Sequence, residues 1–139
     1  MRMLKVIEKA LLLQEIDVLQ FVSADHLMQL AEVGREETYK KGDILAQRGD
    51  SPLTIYLLLH GRTILEEDNS LVFEKAALNL CSGLAGVPYA YSCLCLEDCT
   101  VLAIDAADLM DLLAGEPELC LALLKYFASK RLADSDRCL

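Results

Sequence analysis

Six cysteines (Cys81, Cys93, Cys95, Cys99, Cys120 and Cys138) and two histidines (His26 and His60) carry most of the capacity for covalent or metal chemistry in this 139-residue chain. Their spacing does not assemble it. No Cys-x-x-Cys pair occurs, so the compact knuckle that wraps a structural zinc has no counterpart and no metal site is expected. A cysteine or serine nucleophile needs a base within hydrogen-bond reach. His60, next to Gly61, reads instead as a surface residue closing a strand at a turn, and no serine lies in a Gly-x-Ser-x-Gly elbow. Gly83-x-x-Gly86 lacks the first glycine of a dinucleotide fingerprint and the Lys-Ser/Thr end of a phosphate loop. The acids Glu66-Glu67-Asp68 and Glu97-Asp98 fall at strand ends, where solvated turns account for them, and Arg48-Gly49-Asp50 is read as a turn. The chain is therefore expected to be no enzyme, with no catalytic residue and no cofactor. Cys93 and Cys95 alternate with Leu94 and Leu96, which puts both thiols on one face of a strand as small hydrophobes.

Charge is distributed unevenly. From Ala76 to Leu124 there is no Lys, Arg or His, whereas Glu97, Asp98, Asp105, Asp108, Asp111, Glu116 and Glu118 all fall there. The formal net charge is −9 and the pI is near 4.6, a balance that argues against nucleic-acid partners and anionic membrane surfaces. Apolar runs such as Ala10 to Leu13 and Ile55 to Leu59 are far shorter than the roughly 18 residues of a spanning helix, so no membrane insertion is expected. Glu8 and Glu15 interrupt any signal-peptide core near the N-terminus, and a cytoplasmic location is the expectation. The length suits one domain over residues 1–139.

The elements that must position these residues follow from periodicity. Met3, Ile7 and Leu11, with Val6 and Ala10, recur at helical spacing and predict a first helix over Met3 to Ile16. Leu27, Leu30 and Ala31 predict a second, with Ser23 as its N-cap and Gly34 as its stop. These two N-terminal helices occupy residues 3–34. Residues 36–105 then read as short strands: Glu37 to Lys40, Ile44 to Gln47, Thr54 to His60, Thr63 to Glu67, Leu71 to Ala77, Tyr91 to Glu97 and Val101 to Ile104. Gly42-Asp43, Gly49-Asp50-Ser51-Pro52 and Asp68-Asn69-Ser70 punctuate them as turns. Two C-terminal helices fill 106–132, the second opening at Pro117 and carrying a wide apolar stripe. The fold class expected is mainly β with flanking helices.

Tyr39-Lys40-Lys41-Gly42-Asp43, Arg48-Gly49-Asp50 and Ile55-Tyr56-Leu57-Leu58-Leu59-His60-Gly61 together carry a resemblance to the cyclic nucleotide-binding domain family. Similarity runs from about Ala10 to Leu132. The resemblance implies an antiparallel double-stranded β-roll, jelly-roll-like, in which one segment with a short helix cradles the cyclic phosphate, using a Gly-Glu pair for the ribose and an Arg for the phosphate. The corresponding segment here is residues 79–92. If Gly83 is the family glycine, Leu84 stands where the Glu would be, and the Arg position falls at Tyr89 or, within the alignment, as far as Tyr91. Ser82, Gly83, Leu84, Ala85, Tyr89, Tyr91 and Ser92 are the candidate ligand-binding residues. The expected function is a regulatory or interaction module that has lost cyclic nucleotide binding, with a small-molecule sensor of a cyclic nucleotide or an uncharged ligand as the alternative. Leu119, Leu123, Leu124 and Phe127 on the last helix are the candidate interface for a protein partner or homodimer.

Overall fold

The chain folds in the order that its apolar spacing sets. The computed structural model describes residues 3–134, without the side chains of 68–71 and 134, so Cys138 lies outside the described residues. Helix α1 is Val6–Leu13, shorter at both ends than the sequence pattern predicts. Of the two apolar rows in that pattern, Met3, Ile7 and Leu11 face solvent, while Ala10 is buried with Leu13, and Val6 and Leu12 pack beside them. The amides of Glu15 and Ile16 bond carbonyls only three residues back, at 3.1 Å each, which tightens and ends the helix. A one-turn 3₁₀ helix, Asp17–Leu19, follows and sets Val18 and Leu19 into the core beside Ile16. Helix α2 is Ala24–Val33, capped by Ser23, whose Oγ accepts from the His26 amide at 3.2 Å. Gly34 ends it with φ −78°, an ordinary value. Glycine is required there because a Cβ would run into the Leu102 side chain.

Eight strands follow in two antiparallel four-stranded sheets among the described residues. The first sheet has the order β1 (Arg35–Tyr39), β8 (Cys99–Asp105), β3 (Thr54–His60), β6 (Ala77–Leu78). The second has the order β2 (Ile44–Ala46), β7 (Cys93–Cys95), β4 (Thr63–Leu65), β5 (Asp68–Phe73). This is the antiparallel roll expected, with local corrections. Leu65 pairs with Asp68, which leaves Glu66-Glu67 as the turn and draws Asp68-Asn69-Ser70 into β5. These polar residues are poor strand formers, but at a sheet edge pairing outweighs propensity. The expected strand Leu71 to Ala77 divides between the two sheets at Lys75, whose φ is +50°. Gly61, at φ +97°, sits where a Cβ would be 2.6 Å from Cys99 Sγ and 2.7 Å from the Asp98 carbonyl.

Strand β3 is buried on both faces, as its unbroken apolar run suggests. Ile55, Leu57 and Leu59 join the cluster shared with the helices, and Leu58 joins the roll interior with Leu45, Leu65, Cys93, Cys95 and Val101. The short helix α3 (Leu80–Ala85) links β6 to β7, and helices α4 (Ala106–Gly115) and α5 (Pro117–Asp134) close the chain. Leu119, Ala122 and Leu123 of α5 pack inward, whereas Leu121 and Leu124 are 61% and 58% exposed. No helix of the described residues is long and apolar enough to cross a membrane.

Candidate functional site

Residues 79–92 leave β6 through Asn79, held left-handed at φ +67°, and turn out of α3 at Gly86, φ +71°. Gly83 faces inward, where a Cβ would meet Ile55 Cγ1 at 2.7 Å. Close packing thus requires this glycine in addition to any ligand role. Leu84 packs partly buried against the helix cluster, and Ala85 is exposed.

Tyr89 is buried, and its hydroxyl is fully engaged. It donates to the Thr54 carbonyl at 2.8 Å and accepts from the Thr54 amide at 3.1 Å. The Tyr89 backbone bonds Gly49 N–H at 2.9 Å and the Asp50 carbonyl at 3.0 Å. Ser92 is equally committed: its Oγ accepts from the Arg48 amide at 2.8 Å, and its N–H donates to both Glu67 carboxylate oxygens at 3.0 and 3.1 Å. Both residues fasten the segment to neighbouring turns.

A cavity of about 700 Å³ lies between the roll, α3 and α5. Of the candidate residues only Ser82, Tyr91 and Phe127 line it; Tyr89 lines a separate hollow of about 510 Å³ with Tyr56 and Ile44. The larger cavity also has wall residues that sequence reasoning did not assign to a site: Phe73, Tyr126, Asp17 and Glu74. The adjacent aromatics Tyr126-Phe127, in a T-shaped contact with centroids 5.6 Å apart, were the available signal on α5. Asp17 carried none, because the 3₁₀ turn that brings it to the cavity mouth leaves no periodic trace. Lys75 is the cation among the described lining residues, and its ammonium lies 2.5 Å from Glu15.

The buried thiols of Cys93 and Cys95 offer little reactivity. Burial, with the charge of Glu67 adding, pushes Cys93 up to about 11; burial, with Cys99 adding, pushes Cys95 up to about 12. Both stay protonated at neutral pH, unsuited to attack or soft-metal ligation. Among the described residues no group of three or more His, Cys, Asp or Glu is placed to hold a metal ion. Away from the cavity, Glu116 joins α2 to the α4–α5 junction: it accepts from Gln29 Nε2 at 3.1 Å and lies 3.3 Å from His26 Nε2, whose Nδ1 is 3.0 Å from Ser23 Oγ.

The profile of the cyclic nucleotide-binding domain matches residues 36–116, more than half of the chain. This chain belongs to that family. No curated protein is a match. Among solved structures, the N-terminal domain of a transcriptional regulator from Streptomyces coelicolor A3(2) is 20% identical with a TM-score of 0.78, covering 92% of this chain and 97% of that one. A candidate cyclic nucleotide-binding protein from Ruegeria pomeroyi DSS-3 is 16% identical with a TM-score of 0.75, over 90% of this chain and 59% of that one. A mutant regulatory subunit of a cAMP-independent protein kinase A from Trypanosoma brucei, bound to cAMP, is 16% identical with a TM-score of 0.71, over 83% of this chain and 45% of that one. The chain thus spans about three fifths of the second structure and less than half of the third. At these identities the likeness is one of fold.

Proposed function

We propose that residues 1–139 form one non-enzymatic regulatory domain whose cavity has lost the grip on a cyclic phosphate, and which acts by contact with a protein partner or a second copy through α5. The observation that carries this reading is the commitment of Tyr89, at the position where the resemblance puts the phosphate Arg, to the backbone of Thr54. A buried anion without a paired cation bears a penalty of several kcal/mol, while a charge-assisted bond from Arg returns about 1.5–3 kcal/mol. Leu84 replaces the ribose-holding Glu of the resemblance with an apolar group, and Lys75, already held by Glu15, is a poor substitute for the Arg. The exposed Leu121 and Leu124 support the contact role of α5, and the net charge of −9 disfavours nucleic acid as the partner. A cytoplasmic setting accords with the free cysteines among the described residues.

Isothermal titration with cyclic AMP and cyclic GMP to millimolar concentration tests it. The expected outcome is no saturable heat and no thermal shift. Saturable binding would mean that other donors replace the missing Arg, and the reading would fall. A second reading, a sensor of a different small molecule, is favoured by one observation: the cavity of about 700 Å³ is of ligand-binding size.

A further inference from the structure

The large cavity has the electrostatics of a cation site. Its aromatic wall is made by Phe73, Tyr91, Tyr126 and Phe127, each at least partly open to solvent. The carboxylates on its wall, Asp17 and Glu74, are exposed, and neither has an ion-pair partner among the described residues. Lys75, which would repel a cation, is neutralised by Glu15 at 2.5 Å. An aromatic face attracts a positive charge within about 6 Å by roughly 0.5–2 kcal/mol, the upper end applying where water is excluded. Two carboxylates near the mouth add to that attraction, and the field of a −9 chain concentrates cations around it. Much of the remaining lining is apolar, with Val18, Leu65, Val72 and Leu80, and its neutral polar members are Asn79 and Ser82; among the described residues no three His, Cys, Asp or Glu gather to replace the water of a strongly hydrated metal ion.

We propose that this cavity binds an organic monocation, an amine or quaternary ammonium carried on an apolar body. The body fills the aliphatic part of the cavity, the cationic head meets the aromatic faces, and Asp17 and Glu74 select its sign. The proposal rests on the reading that the site has lost its anion grip, and it gives the sensor reading a ligand class.

The test uses three probes that share a phenyl group and differ in charge: benzyltrimethylammonium, benzyl alcohol and benzoate, titrated into the full chain by NMR and thermal shift. The cation is expected to bind about tenfold more tightly than the alcohol, the combined effect of two or three cation–π contacts, and benzoate not to bind. Asp17→Asn is expected to weaken the cation about threefold, the scale of one partly screened charge pair, and to leave the alcohol unchanged. Phe127→Leu, which keeps the apolar volume, is expected to weaken the cation more than the alcohol. Equal binding of cation and alcohol, preference for benzoate, or no saturation by the cation overturns the proposal. So does an Asp17→Asn variant of unchanged melting temperature that binds the cation as before. Cyclic AMP is titrated in parallel: saturable binding that displaces the probes removes both this proposal and the lost-grip reading. Flat cyclic AMP curves alongside charge-blind probe binding remove this proposal alone.

Discussion

Tyr89 makes the segment 86–92 part of the scaffold. Its hydroxyl bridges both backbone polar groups of Thr54, 35 positions earlier in the chain, so one side chain ties this segment to the start of β3. Tyr89→Phe removes the oxygen and keeps the ring, leaving a carbonyl and an amide to find water. The expected cost is about 1–3 kcal/mol in urea unfolding, with little change in m-value. A loss below about 0.5 kcal/mol would mean that solvent replaces the hydroxyl without penalty. The absence of a cation at this position was legible in the sequence, but the partner was not, since nothing local to Thr54 marks it as an acceptor. The cysteines divide similarly. Alternation in Cys93-Leu94-Cys95-Leu96 foretold both buried thiols, whereas Cys81 is exposed on α3, where the turn chemistry around it gives no face to read.

The junction of α4 and α5 is held from outside by α2. Hydrogen bonds from Gln29 first, and His26 second, hold the Glu116 carboxyl below its ordinary value of 4.5. A carboxylate depressed in the folded state contributes stability that is present above its unfolded value and is lost as pH falls through the folded one. Glu116→Gln abolishes that dependence. Melting curves of the two proteins should be separated at neutral pH and converge in acid. A constant offset at every pH would assign the effect of Glu116 to packing instead of charge. Helix α2 was the element best foretold, because Ser23 and Gly34 bound it chemically. Helix α1 was foretold in place without a choice of face: its spacing named the rows Met3, Ile7, Leu11 and Val6, Ala10, and the second, with Leu13, is the one at the core. Periodicity reports that a helix has two faces, and the roll behind it decides which one is covered.

Over the whole molecule, the sequence conveyed the mainly β roll between helices because Gly-Asp turns and one long apolar strand are local signals. The cavity was less legible, since its walls come from residues as distant as Asp17, Phe73 and Phe127. Leu119, Leu123, Leu124 and Phe127 were read as an interface, but the fold turns Leu119 and Leu123 inward, packs Phe127 partly against the core, and leaves Leu124 with Leu121 outside. A second copy is the occupant of that exposed face that needs no other component. Light scattering at rising concentration is expected to give a mass approaching twice 15.4 kDa. Leu124→Glu is expected to return it to 15.4 kDa without lowering the melting temperature. A wild-type mass that stays at 15.4 kDa would reserve the face for a different protein.

Two glycines of this fold differ in what their descendants can tolerate. At Gly34 the backbone is ordinary and the obstacle is wholly the Leu102 side chain, so positions 34 and 102 share a fixed volume. A relative can carry alanine at 34 once 102 has shrunk, and the two columns should covary across an alignment. At Gly61 the obstacle includes the Asp98 carbonyl and a φ of +97°, which no second substitution relieves. That position should remain glycine in every relative that keeps the turn, and so can anchor an alignment where overall identity has fallen too low to guide one.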